Sequence, residues 1–204
     1  MIKCVTVCKY ISENAYFYVN DKTNHCFLID PGSEGKRLFE IAESNNWIID
    51  KILITHGHFD HIGGINEIRE IKDIPVYAYK ESKLYLTNPE YNLSKQLPEQ
   101  IIVDNVNYFD DGDVIKLDDD LYLKVIYTPG HTLDSVIFVN DKDKVIFSGD
   151  TIFKNSIGNT SFPGGDYNTL IESIVNKILV MADDYKIYSG HSDVTTIKDE
   201  KKYF

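Results

Sequence analysis

The sequence predicts an α/β protein in which two mixed sheets pack together and helices flank them. Two observations predict it. Strand-like runs come in hairpin-like groups in both halves of the chain, which argues for mixed or antiparallel pairing. Each half also carries helical apolar spacing, without the simple strand–helix alternation of a doubly wound sheet. The 204 residues are 43% apolar and 26% charged, ordinary values for a chain that builds a normal core. One domain over residues 1–204 is expected, since no repeat, low-complexity tract or linker divides the chain.

The elements follow in order. "IKCVTVCKY" alternates as a strand does. "AYFYV", Ala15 to Val19, and "HCFLID", His25 to Asp30, read as strands joined by the polar turn "NDKTN". After the break "DPGSEG", the stretch "GKRLFEIAESNN" has helical spacing at Leu38, Ile41 and Ala42. "KILIT", Lys51 to Thr55, is a short apolar strand, and "IGGINEIREIK" places Ile65, Ile68 and Ile71 on a helix. "IPVYAY" is the next strand. From Lys83 to Asp110 the pattern reads as loop and short helix, a candidate substrate wall. Strands resume with "DVIKL", "LYLKVIYT", "SVIFVN" and "KVIFSGD". "YNTLIESIVNKILVM" then reads as one amphipathic helix, and "YKIYSG" as a last strand.

Charge and cysteines narrow the function classes. A formal net charge of −11 repels phosphate backbones and anionic lipid, so neither nucleic acid nor membrane is an expected partner. Cys4, Cys8 and Cys26 are odd in number and lack zinc-knuckle spacing. On a strand Cys4 and Cys8 share a face but sit roughly 13 Å apart, too far for one metal or a disulfide. All three are expected to be buried thiols in a reducing compartment. No basic segment followed by a long apolar one opens the chain, and no run approaches a membrane span. A cytoplasmic enzyme is the expectation.

The chemistry is concentrated in "THGHFDHIGG", which holds half of the six histidines. If the chain leaves its strand extended, His56 and His58 point to one side and form a metal half-site. Asp60 and His61, at a turn into the next helix, would face a second ion, with Gly63 and Gly64 letting the backbone come close. "TPGHT" with His131, "FSGDT" with Asp150 and "YSGHS" with His191 each follow a predicted strand, and loops at one edge of packed sheets are where ligands converge. Burying these groups together without a metal would cost several kcal/mol. Oxygen and nitrogen donors without thiolate suit two divalent ions, zinc first, with iron or manganese as alternatives. Seven ligands are too many for one tetrahedral zinc and right for two ions sharing a carboxylate. Such a pair, roughly 3.5–4 Å apart, holds a bridging hydroxide and polarises a carbonyl, the chemistry of hydrolysis. His25, in a strand away from these motifs, is left structural.

These motifs resemble the metallo-β-lactamase superfamily and, within it, the glyoxalase II (hydroxyacylglutathione hydrolase) group. The resemblance runs nearly the full length: "ENAYFYVNDKTNHCFLIDPG", "THGHFDHIGG", "YTPGHTLDSVIFV", "FSGDTIF" and "SGHSDVTTIKDEK". It implies a four-layer αβ/βα sandwich with the site at the edge between the sheets. It also implies that His56, His58 and His131 bind one metal, that Asp60, His61 and His191 bind the other, and that Asp150 bridges them. Asp60 would further orient the nucleophile, and the substrate would be a small acyl compound, a thioester above all. Departures are present. Glyoxalase II enzymes usually carry a further helical domain that helps bind glutathione, and a short form without it is expected here. Gly158-Asn159-Thr160-Ser161 stands where the group usually reads Gly-Arg-Thr-Asp, and Asp134 replaces a usual glycine. A mononuclear iron persulfide dioxygenase, a lactonase and a non-catalytic metal-binding domain are the alternative readings on this scaffold.

Overall fold

A computed structural model describes residues 1–204. The first half supplies β1 (Ile2–Cys8), β2 (Ser12–Val19), β3 (His25–Ile29), α1 (Gly35–Ser44), β4 (Ile48–Leu53), α2 (Phe59–Ile62), α3 (Ile65–Arg69), β5 (Val76–Tyr79), α4 (Ser82–Leu86) and β6 (Val106–Phe109). Its six strands lie in chain order, β1 to β6. The first two pairings are antiparallel and the last three parallel. The parallel crossovers through α1 and α3 put those helices on one face of the sheet.

The second half supplies β7 (Val114–Lys116), β8 (Tyr122–Tyr127), β9 (Val136–Asn140), β10 (Val145–Gly149), β11 (Ile152–Phe153), β12 (Ser156–Ile157), α5 (Tyr167–Ser173), β13 (Lys186–Ser189), β14 (Thr195–Thr196) and α6 (Ile197–Glu200). The second sheet runs β14-β13-β10-β9-β8-β7, with only β10 and β13 parallel, and β11 pairs with β12 apart from it.

The period-2 alternation of the strands sorts side chains into layers. On β2, Ala15, Phe17 and Val19 face the helices, while Tyr16 and Tyr18 face the other sheet. On β9, Val136 and Phe138 face the first sheet, while Ile137 and Val139 meet Leu170 and Ile174 of the α5 region. Helix, sheet, sheet and helix therefore stack as the expected four layers, with mixed sheets in the middle. No helix is long and apolar enough to cross a membrane.

Several local expectations differ from the structure. Cys26 is buried, but Cys4 and Cys8 are exposed. They do share a face of β1, yet Val5 and Val7 take the core side of this edge strand, so the thiols are left on the solvent side. The strand read at Lys51 to Thr55 begins earlier and ends at Leu53. Within the stretch read as loop and short helix, β6 forms a strand because Val76–Tyr79 offers it a parallel edge. The long amphipathic helix is α-helical only to Ser173 and continues as a π-helical turn, Ile174–Ile178. Leu170, Ile174 and Ile178 are all fully buried at four-residue spacing. A wider turn winds back the drift that this spacing accumulates on a 3.6-residue helix.

Candidate metal centre

The ends of β4, β8, β10 and β13 open at one edge of the two sheets, and the loops that follow them carry the histidines. After β4 the chain stays extended through His58 and turns into α2 at Phe59. His56 and His58 therefore project together. Their facing atoms, His56 Nε2 and His58 Nδ1, lie 3.1 Å apart, and His131 Nε2 lies 3.2 Å from the first and 3.0 Å from the second. Imidazoles 2.0–2.1 Å from a tetrahedral ion would have nitrogens about 3.3 Å apart. The triangle is close to that size.

α2 turns Asp60 and His61 to the other side of Asp150. His61 Nε2 is 3.3 Å from Asp150 Oδ1, and His191 Nε2 is 3.3 Å from Asp60 Oδ2 and 3.4 Å from Asp150 Oδ2. His131 Nε2 is 3.6 Å from Asp150 Oδ2. Asp150 therefore stands between the two groups. His56, His58 and His131 form one set of donors within 4.8 Å of one another, and Asp60, His61 and His191 form another. All seven residues singled out in the sequence come together here. His25 does not; its Nδ1 pairs with Asp50 at 2.6 Å.

The chemistry of these atoms fits divalent cations. His61 Nε2 and Asp150 Oδ1, buried and 3.3 Å apart, face each other without a well-aligned hydrogen bond, a costly condition that a shared cation would relieve. Burial, then the neighbouring imidazoles His61, His131 and His58, holds His56 well below the usual histidine range. Burial and then His131 lower His58 to about 3. Both rings are thus neutral and carry free lone pairs. On the other side burial opposes charge, but Asp150 and Asp30 outweigh it and hold His61 well above the usual range. Burial likewise opposes the charge on His191, but Asp150 and Asp60 raise it to about 10. Burial alone would raise Asp150, yet His61 and His191 draw it well below the carboxylate range. The carboxylates and imidazoles already hold complementary charges.

Groups behind the donors set their orientation, as outer partners of metal ligands do. His131 Nδ1 donates to the Asn159 carbonyl at 2.7 Å, and His191 Nδ1 to the Ser12 carbonyl at 2.7 Å. Asp30 accepts from His61 Nδ1 at 3.0 Å and from the Thr55 N–H at 2.8 Å. Glu13, fully buried, brings Oε1 to 3.9 Å from the same His61 nitrogen, with neither oxygen partnered. Burial pushes its carboxyl well above the usual range. Asp134 is buried too and accepts from the Gly57 N–H at 2.9 Å, between His56 and His58. The sequence reading missed Asp30, Glu13 and the bracing role of Asp134. Asp30 had a signal, an acid closing a strand before Pro-Gly, whereas Glu13 had none beyond a charged residue in an apolar strand.

Backbone does come close at the expected glycines, against a neighbouring turn. Gly63 and Gly64 approach the backbone of the Pro31–Gly32 turn, and the Gly64 N–H donates to the Pro31 carbonyl at 2.8 Å. A closer need lies at Gly149, where φ is +47° and a Cβ would meet Thr55 Oγ1 at 2.2 Å. This glycine lets Asp150 enter the cluster beside β4.

A four-layer sandwich with a histidine–aspartate cluster at the sheet edge defines a metal-dependent hydrolase scaffold. Comparison with known proteins agrees: the family described as the metallo-beta-lactamase superfamily matches residues 11–191, and the chain belongs to that superfamily. It is 36% identical over 198 residues to the probable metallo-hydrolase YqgX of Bacillus subtilis, covering 95% of this chain and 92% of that one. It is 34% identical over 192 residues to the hydroxyacylglutathione hydrolase GloC of Haemophilus influenzae, covering 89% and 87%. Among solved structures, the B3 metallo-beta-lactamase BLEG-1 superimposes with TM-score 0.91 at 33% identity, covering 99% and 97% of the two chains. TTHA1623 in a di-iron-bound form superimposes with TM-score 0.85 at 29% identity, covering 98% and 97%.

Proposed function

We propose that this chain is a dinuclear metal hydrolase that cleaves a small thioester or a related activated acyl compound. In this reading His56, His58 and His131 hold one ion, Asp60, His61 and His191 hold the other, and Asp150 is shared. The observation that carries it is the convergence of two donor sets on one buried carboxylate. The 34% identity to a hydroxyacylglutathione hydrolase supports the thioester. Two cations so held would lower the pKa of water and polarise an acyl carbonyl. Zinc is the first choice for this donor set, and the di-iron-bound neighbour supports iron as the alternative.

The side chains have distinct parts in this scheme. The Asn159 and Ser12 carbonyls and the Asp30 carboxylate hold three imidazoles with Nε2 turned inward. Asp60 brings Oδ2 to 3.3 Å from His191 Nε2 and keeps its side chain 12% exposed. It is placed to orient a nucleophilic water by accepting its proton in a hydrogen bond. Phe162 lies against the cluster, its ring 5.5 Å from that of His58 and 6.2 Å from that of His131. The substrate is a small molecule rather than nucleic acid or membrane, in keeping with the −11 charge, and the cytoplasm is the proposed location. A β-lactam is the second reading, carried by the 33% identity to BLEG-1.

Metal analysis combined with a panel of thioesters, lactones, a β-lactam and a phosphodiester tests this. Two bound equivalents and thioester turnover are expected. Asp150→Asn should lower metal affinity by more than about 100-fold, the upper end for outer partners of ligands. A protein with two metal equivalents that hydrolyses none of the acyl compounds would refute the reading. So would a single iron with oxygen uptake on a persulfide.

A further inference from the structure

Beside the donor cluster opens a cleft of about 840 Å³, walled by Ile11, Phe59, Leu93, Leu97, Phe162 and Pro163. It adjoins the chemistry directly. Phe59 follows His58 in the chain, and the Phe162 ring lies 5.5 Å from the His58 ring and 6.2 Å from that of His131. Lys95 is the cation on this wall, and it is paired with Glu90 at 3.1 Å. With Glu90 beside it, the wall carries no net positive charge to attract an anionic arm.

The wall is built with a strained residue at its lip. Leu93 has φ 66° and ψ 7°, the left-handed region that branched or bulky side chains rarely occupy. Glycine or asparagine would relax there, yet leucine is present. The neighbouring Asn92, fully buried, enforces the turn. Its Nδ2 donates to the Tyr85 and Ile101 carbonyls at 3.0 and 2.9 Å, and its Oδ1 accepts from the Ser94 N–H at 3.0 Å. Its carbonyl accepts from the Phe59 N–H at 2.9 Å, which ties the wall to the histidine-bearing loop. Of the eight non-glycine residues with positive φ in this chain, Leu93 is the one apolar residue.

We propose that this cleft is the subsite for an apolar, uncharged arm of the acyl substrate, with Leu93 as a specificity-determining residue. The proposal rests on the hydrolase reading for the substrate's reacting end, while the arm is read from the cleft alone.

Non-hydrolysable thioethers, titrated calorimetrically into metal-loaded protein, provide the test. The probes are S-methyl, S-butyl and S-hexyl derivatives of uncharged N-acetylcysteamine and of glutathione. Affinity should rise about fourfold per added methylene until the cleft is filled, in both series. Leu93→Asn suits the left-handed backbone, so its melting temperature should hold while S-hexyl affinity falls about tenfold. If that variant melts early, Phe162→Ala, on another segment, should show the same length-dependent loss. Affinity flat with chain length, or S-hexyl affinity unchanged in the variants, would overturn the subsite. Thioethers bound in the expected order, by a protein that hydrolyses none of the acyl compounds, would overturn the hydrolase reading and leave the subsite standing.

Discussion

Asp134 shows how one buried charge acquires a physical consequence: its carboxylate receives the N–H of Gly57 between two histidines. Burial raises its carboxyl from 3.8 to about 6, against the hydrogen bonds it accepts. A folded-state value above the unfolded one means its contribution to stability is complete below about pH 4 and lost as pH rises through 6. Asparagine keeps an acceptor for Gly57 and carries no charge. Asp134→Asn should therefore match the parent near pH 4 and exceed it by up to about 3 kcal/mol at pH 7. Urea melts across that range measure the difference; a gap that does not grow with pH would show that Asp134 is not desolvated. Asp30, by contrast, braces His61 and Thr55 together, and Asp30→Ala should weaken metal binding about 10–100-fold in a competitive chelator titration.

At the scale of elements, the start of β2 holds the loop after β13. The Asn14 N–H donates to the Gly190 carbonyl at 2.8 Å, and its side chain donates to the Ser189 and Ser192 carbonyls at 3.2 and 3.1 Å. Tyr16 adds a hydroxyl donor to Ser189 at 2.7 Å. These bonds cross from one sheet to the other and set the height of His191. Asn14→Ala leaves the Ser192 carbonyl without that donor and should cost about 1–3 kcal/mol in a denaturant melt. The same variant should weaken the second metal equivalent more than the first, since His131 hangs from Asn159 instead. Equal weakening of both would argue against this division. The element errors of the sequence reading have a common origin at this scale. β6 is only four residues long, too short for its alternation to stand out, and becomes a strand because β5 offers an edge. β11 and β12 are two residues each, too short for any alternation to register.

For the whole molecule, the apolar layer between the sheets holds the two halves in the relative position the site requires. Phe138, fully buried, packs there with Phe109, ring centroids 5.7 Å apart. Phe138→Ala should cost about 3–5 kcal/mol, read as a lower urea midpoint with an unchanged slope. Metal binding should restore part of that loss by mass action, since only the folded sheets bring the donors together. Chelated and metal-loaded protein with identical midpoints would contradict that coupling.

Much of this was legible in the chain alone because it is local. Strand alternation follows from a two-residue period, and "THGHFDH" places four donors within six residues whatever surrounds them. Donor chemistry itself, imidazole and carboxylate without thiolate, is a property of residue type. Other features depend on partners remote in the chain: Ser12 holds His191 from 179 residues away, Asp30 reaches His61 across 31, and the Gly57 N–H meets Asp134 across 77. No period or spacing encodes such meetings. The tertiary structure decided them, because a hydrogen bond depends on where two atoms end up after every layer has packed.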